Sequence, residues 1–182
     1  MKKLSVIVLL ALAIPCVAFA QATSPQPPKP GPEHQKLAGF VGSWTTEGEI
    51  TENPFGPAEK WSGKITSEWV LSNFAVVSHE DSRGSVSGEN HMLFVFAYDG
   101  SAKTYTWYGV DNQGWTGLAK MSISGDVAIA VWEIQVKGKT YKSRGTLKGL
   151  GSDRLTWVQE YSEDGKMWKA YFHSTDTRVK SK

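Results

Sequence analysis

The chain reads as an all-β protein, an antiparallel up-and-down barrel of about ten strands with a short N-terminal helix. Three observations lead there. Apart from Pro54 and Pro57 in the loop ENPFGP, every proline lies at or before position 32, so Ala58 to Lys182 contains none. That long stretch is punctuated roughly every 8–12 residues by turn signals. They are Asp81-Ser82-Arg83-Gly84, Asp99-Gly100, Asp111-Asn112-Gln113-Gly114, Gly125-Asp126, Lys137-Gly138-Lys139, Gly149 to Asp153, and Glu163-Asp164-Gly165. The intervals between them are rich in Trp, Tyr, Thr, Val and Ile and alternate with period two.

The alternation sorts faces. Trp61, Ile65 and Trp69 share one side with Gly63 and Ser67, while Lys60, Lys64 and Glu68 share the other; Tyr105, Trp107 and Gly109 oppose Thr104, Thr106 and Tyr108 in the same way. Tight glycine-containing turns make sequence neighbours antiparallel partners. No second amphipathic helix interleaves the strands, which excludes parallel α/β folds. Ten hairpin-linked strands must stack as two sheets or close on themselves, and closure removes the edges that would template aggregation. A sandwich is the alternative, but its crossovers need longer connections than this sequence holds.

The N-terminal segments come next. Residues 1–20 read MKKLSVIVLLALAIPCVAFA: a short basic start at Lys2 and Lys3, an apolar run, then the small-x-small Ala18-Phe19-Ala20 accepted by a signal peptidase. The run is short for a span of about 20 residues and Pro15 interrupts it, so no stable membrane span is expected after cleavage. Pro15 before Cys16 argues against lipidation, and cleavage after Ala20 removes the only cysteine, leaving no disulfide, thiolate nucleophile or Cys-based metal site. The expected location is periplasmic or secreted. Residues 21–32 hold Pro25, Pro27, Pro28, Pro30 and Pro32 and read as an extended, disordered tether. Residues 33–182 form the barrel domain; Pro32 and Glu33 start its helix, Leu37, Phe40 and Val41 fall at helical spacing, and Gly42 stops it.

Charge excludes some partners. Lys and Arg number 20 against 18 Asp and Glu, and loss of Lys2 and Lys3 with the leader leaves 18 against 18. Such a balance provides no basic field for nucleic acid. Lys137, Lys139, Lys142, Arg144 and Lys148 make a modest basic strand pair whose default is a solvated face. The motifs GxGxxG, GxxxxGK[ST], HExxH and GxSxG are missing.

Gly42-Ser43-Trp44, after a short helix and before alternating residues, resembles the Gly-x-Trp opening of the lipocalin-like, or calycin, barrels. In that group the tryptophan closes one barrel end beside an arginine from a late strand, and the resemblance implies this role for Trp44 and Arg178. More of the chain resembles a narrower group. PGPEHQKLAGFVGSWTTEG, NPFGP, SEWVLSNFAVVS and FAYDGSAKTYTWYGVDNQG, in that order, are similar to the bacterial domain-of-unknown-function 1579 family, from about Pro30 to the C-terminus. The resemblance implies a calycin-like barrel, commonly exported, without an established reaction. The Thr-Asp-x-Tyr-type turn of lipocalins and the glycine-rich first strand of haem-binding nitrobindins are absent, so neither lipophile transport nor haem chemistry is carried over.

Three constellations could carry chemistry. Trp69, Trp107, Trp132, Trp157 and Tyr171 fall on different strands of a chain with eight Trp and six Tyr. They read either as the lining of a pocket for a small, mostly apolar molecule or as a filled core. His79, Asp81, Glu89 and His91 flank SRGSVSG, and a register pairing His79 with His91 and Asp81 with Glu89 would gather a metal or acid–base site. On the last strand, alternation groups His173 with Tyr171 and Thr175, where an inward histidine could ligate a haem iron. The reading adopted is an exported barrel that binds a small hydrophobic molecule, uses no cofactor and catalyses nothing. A metal-dependent or acid–base enzyme using His79 and His91, or a structural module of the cell envelope, are the alternatives.

Overall fold

The structure is a computed structural model describing residues 28–180; the leader assigned to residues 1–20, and residues 21–27 of the tether, lie outside the described residues. Ten strands follow in order: β1 (Gly42–Ile50), β2 (Glu59–Val70), β3 (Ala75–Gly84), β4 (Gly88–Asp99), β5 (Thr104–Asp111), β6 (Thr116–Ser124), β7 (Val127–Val136), β8 (Lys139–Lys148), β9 (Arg154–Ser162) and β10 (Lys169–Arg178). Each pairs antiparallel with its sequence neighbours, and β10 returns to pair with β1, so the sheet is a closed barrel without an edge. Among the described residues no helix is long and apolar enough to cross a membrane.

One barrel end is plugged. Helix α1 (Pro32–Gln35) runs into a 3-10 segment, Lys36–Phe40, rather than continuing as one α-helix. At three residues per turn, Leu37 and Phe40 fall on the same side. Both are buried, and the Phe40 ring stacks on Phe96 with centroids 4.5 Å apart. The Tyr105 hydroxyl ties the plug down by donating to Glu33, at 3.0 Å to its carbonyl and 2.5 Å to its carboxylate.

The seam between β1 and β10 closes at this end. Trp44 and Arg178 are direct register partners, and the Arg178 guanidinium carbon sits 4.0 Å from the centroid of the Trp44 ring. A cation over an indole face is attracted by the ring's electron density. The Trp44 Nε1–H donates to the Phe40 carbonyl (3.2 Å), and an Arg178 terminal nitrogen donates to the Val41 carbonyl (2.9 Å), so both side chains also hold the plug. Gly42 is required beside them. Its φ is +137°, and a Cβ there would collide with the guanidinium.

Two local features depart from the simple alternation of the sequence. The segment Asp81–Gly84 is not a turn but the end of β3, and the chain reverses at residues 85–87 instead. Glu59 explains this: its carboxylate accepts from the Val86 and Ser87 amides at 3.2 and 3.0 Å and fixes the reversal there. The second feature is a β-bulge on β10, where the register with β9 shifts between Ala170 and Phe172. The extra residue, Tyr171, inverts the facing of everything after it. The β2–β3 connection carries none of the glycine or proline signals. Leu71, Ser72 and Asn73 make it, all at positive φ.

Trp44 is 2% exposed, so Trp44→Ala is a large-to-small core change expected to cost roughly 3–5 kcal/mol in chemical denaturation. An unchanged midpoint would remove its role in closing the barrel.

Candidate functional site

Away from the plug, the inward side chains leave a cavity of about 560 Å³ running up to the opposite rim. Its two walls differ because the strands alternate different residues inward. From β4 through β9 the lining is bulky and apolar, with Phe94, Phe96, Trp107, Met121, Trp132 and Trp157. Trp107 is the hub of this wall, 5.4 Å from Trp132, 6.0 Å from Trp157 and 5.5 Å from Phe94 between ring centroids. Room for the Trp157 indole is made by Gly145 on β8, where a Cβ would overlap the ring. A glycine is the only residue that leaves such a space.

The other wall, from β10 through β1 and β2 to β3, carries bulky side chains such as Trp61, Ile65 and Phe172 but sets small and polar ones between them. Ser67 and Ser78 share a hydrogen bond of 2.6 Å, and the Thr46 hydroxyl donates to Asp176 at 2.5 Å. Gly63 lies between Thr46 and Ser82 in the register, where a Cβ would collide with the Asp81 carbonyl and with Ser82 on β3. Two carboxyl groups, Glu80 on β3 and Asp176 on β10, line the cavity here and are 8% and 9% exposed.

Burial dominates their electrostatics. Loss of water pushes the Glu80 carboxyl up from 4.5 to about 7; Ser82 opposes the shift, and the like charges of Asp176 and Asp81 add to it. Burial also raises Asp176, against the hydrogen bond from Thr46. Neither takes part in an ion pair among the described residues. Three further lining atoms are buried without a hydrogen-bond partner: the indole nitrogens of Trp61 and Trp107, and Oδ1 of Asn90.

Two aromatic residues stand at the rim. Phe55 comes from the β1–β2 loop, where Asn53 Oδ1 accepts from the Phe55 amide at 2.8 Å and the Asn53 and Gly56 backbones bridge. Its ring makes edge contacts with Tyr141, Tyr161 and Tyr171 at 5.2–5.4 Å. Trp115 is held opposite by Asp111, whose carboxylate accepts from its amide at 2.8 Å, and covers Gly109 and Gly117, a cross-strand pair.

Of the residues singled out from the sequence, Trp107, Trp132, Trp157 and Tyr171 meet in this cavity, and the Tyr171 hydroxyl donates to Gln159 at 2.7 Å. Trp69 does not line it; near the end of β2 it packs against the buried cluster that includes Leu37 and Trp44. The His79, Asp81, Glu89 and His91 constellation does not form as expected. With the reversal centred on Val86, Asp81 pairs with His91, Arg83 with Glu89, and His79 with Leu93. All four side chains face solvent on the outer wall; His91 Nδ1 lies 2.7 Å from Asp81, and Glu89 binds Arg83. Among the described residues no three His, Cys, Asp or Glu are placed to hold a metal. His173 also faces outward, because the bulge at Tyr171 puts Phe172, Ser174 and Asp176 in the lumen. Arg144, in the basic strand pair, binds Glu160 through two hydrogen bonds and covers Trp168.

Sequence reasoning passed over Glu80, Asp176, Trp61 and Trp115. Carrying the alternation from Val76 through Ser78 would have placed Glu80 inward, and Gly109 with Gly117 marks where Trp115 must lie. Asp176 was masked by the bulge.

A closed antiparallel barrel of ten strands, plugged at one end and hollow toward the other, defines a calycin-like barrel protein. The chain belongs to the DUF1579 family, described as a protein of unknown function, whose model matches residues 29–177. Among solved structures it is similar to Rv2717c from M. tuberculosis, with 12% identity and a TM-score of 0.56 over 82% of this chain and 99% of that one. It is also similar to the S-type phycobiliprotein lyase CPES from Guillardia theta, with 15% identity and a TM-score of 0.52 over 82% of this chain and 94% of that one. At these identities the likeness is one of fold. No curated protein matches the chain.

The buried carboxyl has a consequence for stability. Between pH about 4.5 and 7 the folded chain keeps a proton on Glu80 that the unfolded chain has released. Stability therefore falls as pH rises through that window. Glu80→Gln removes the linkage, so the stability of the variant relative to the parent should rise by on the order of 3 kcal/mol from pH 4 to pH 8. Urea denaturation across that range checks it, and parallel pH profiles would refute it.

Proposed function

We propose that this protein binds a small, largely apolar molecule in the barrel lumen and catalyses no reaction on it. The observation that supports this is the cavity of about 560 Å³ beneath the rim, walled on one side by Phe94, Trp107, Trp132 and Trp157. Ligand sites are typically concave, of about 300–1,000 Å³, mostly apolar, and carry a few placed polar groups. A barrel of more than eight strands has an interior wide enough for one small guest when its side chains do not fill it. The signal read in residues 1–20 makes the protein a periplasmic or secreted binder, with the proline-rich lead as its spacer. The outer-wall histidines have no part in this function.

Nile red, a neutral apolar dye, serves as the probe. It should bind the full chain with quenching of tryptophan emission, since the indoles line the site. Ile134→Trp adds bulk to a half-buried lining position and should weaken Nile red by about tenfold, which corresponds to roughly 1.4 kcal/mol. Equal affinity in the folded variant would place the dye elsewhere and refute the lumen as the site.

A further inference from the structure

The ionisable side chains of the lumen are all acidic. Its lining includes the carboxyl groups of Glu59, Glu80 and Asp176 and, among the described residues, not one Lys, Arg or His. Glu59 is engaged at the rim with the amides of Val86 and Ser87 and the hydroxyl of Ser87. Glu80 and Asp176 are different. They lie more than nine-tenths buried on the wall across from Trp107 and, among the described residues, have no basic partner. Buried carboxylates are costly unless paired with a cation or several donors. Hydroxyls supply part of that need, with Thr46 donating to Asp176, while the acceptor Asn90 Oδ1 on the neighbouring strand β4 receives nothing.

Resting on the ligand-binding reading above, we propose that the guest is a flat aromatic nitrogen base bound as its cation. Its protonated nitrogen meets Glu80 and Asp176, and its ring system lies against Trp107, Trp132 and Trp157. Each part of the lumen fits this division. The aromatic wall offers indole faces, which attract a desolvated organic cation as well as an apolar surface. The wall opposite sets acceptors beside the small side chains of Ser67, Ser78 and Ser82, between Trp61 and Ile65, which leaves room for an amine there. The unpaired indole N–H groups of Trp61 and Trp107 suit an acceptor atom elsewhere on a heteroaromatic body. The same arrangement disfavours anions: a fatty-acid or sulfonate headgroup would enter a lumen with two buried carboxyl groups and no cation to receive it.

Titration of Glu80 follows the same logic. The groups facing it are Asp176 across the seam, Ser82 on its own strand, and its register partners Ile65 on β2 and Met92 on β4; Asp81, the next residue, faces outward. Among the described residues no neighbouring cation compensates its charge, so a bound cation would hold the carboxyl ionised.

Three fluorescent probes of different charge test the assignment on the full chain: proflavine as a cationic amine, Nile red as a neutral dye, and anilinonaphthalene sulfonate as an anion. Proflavine should bind more tightly than the sulfonate. In Glu80→Gln/Asp176→Asn the loss of proflavine affinity should exceed the loss of Nile red affinity by about tenfold or more, as expected on removing the counter-charges of a desolvated cation. Glu80→Gln alone keeps the Thr46–Asp176 bond and carries the comparison if the double variant does not fold. Tighter binding of the sulfonate, or equal losses for proflavine and Nile red, would overturn the charge assignment while leaving a lumenal site in place. Nile red binding that Ile134→Trp does not weaken would instead remove the site, and this inference with it.

Discussion

The stacking of Arg178 on Trp44 is the contact on which the rest of the barrel depends. It joins the first strand to the last, and ten strands whose ends failed to meet would leave two long edges of unpaired backbone. The same two side chains also hold the Phe40 and Val41 carbonyls. Closure of the cylinder and seating of its plug are thus one event. A backbone without a Cβ at Gly42 is the condition for it, because the guanidinium occupies the place where the side chain would be.

Once closed, the interior is shaped by which residues alternate inward. Large rings from β4 to β9 contact one another, whereas the opposite wall intersperses Trp61, Ile65 and Phe172 with serine and threonine. The small side chains between those larger ones leave the space that keeps the barrel hollow. The carboxyl groups of Glu80 and Asp176 gather with hydroxyls on that second wall, across from the cluster around Trp107.

Much of the architecture was legible from local pattern. Period-two alternation correctly sorted Trp61, Ile65 and Ser67 from Lys60 and Lys64, and the tight turns gave antiparallel neighbours, because both depend only on adjacent residues. What failed depended on distant partners. Glu59 lies over 25 residues before the amides it caps, and moving the reversal by one position shifts every pair across β3 and β4 by two, which separated His79 from His91. The bulge at Tyr171 depends on how β10 meets β9, and no local signal announces it; His173 and Asp176 exchanged sides as a result. The β2–β3 turn escaped notice because Leu71, Ser72 and Asn73 adopt positive φ without a glycine among them. The aromatic half of the cavity was therefore readable and the polar half was not.

The crowding of indoles around Trp107 has an optical consequence. Trp115, Trp132 and Trp157 all have ring centroids within 6.5 Å of it, two of them nearly perpendicular to it. Chromophores this close and this oriented share their excitations, so the native barrel should carry an exciton signature in circular dichroism that isolated tryptophans lack. Anything that slides between these rings must alter that coupling, and the wall thereby reports on its own occupancy without a label.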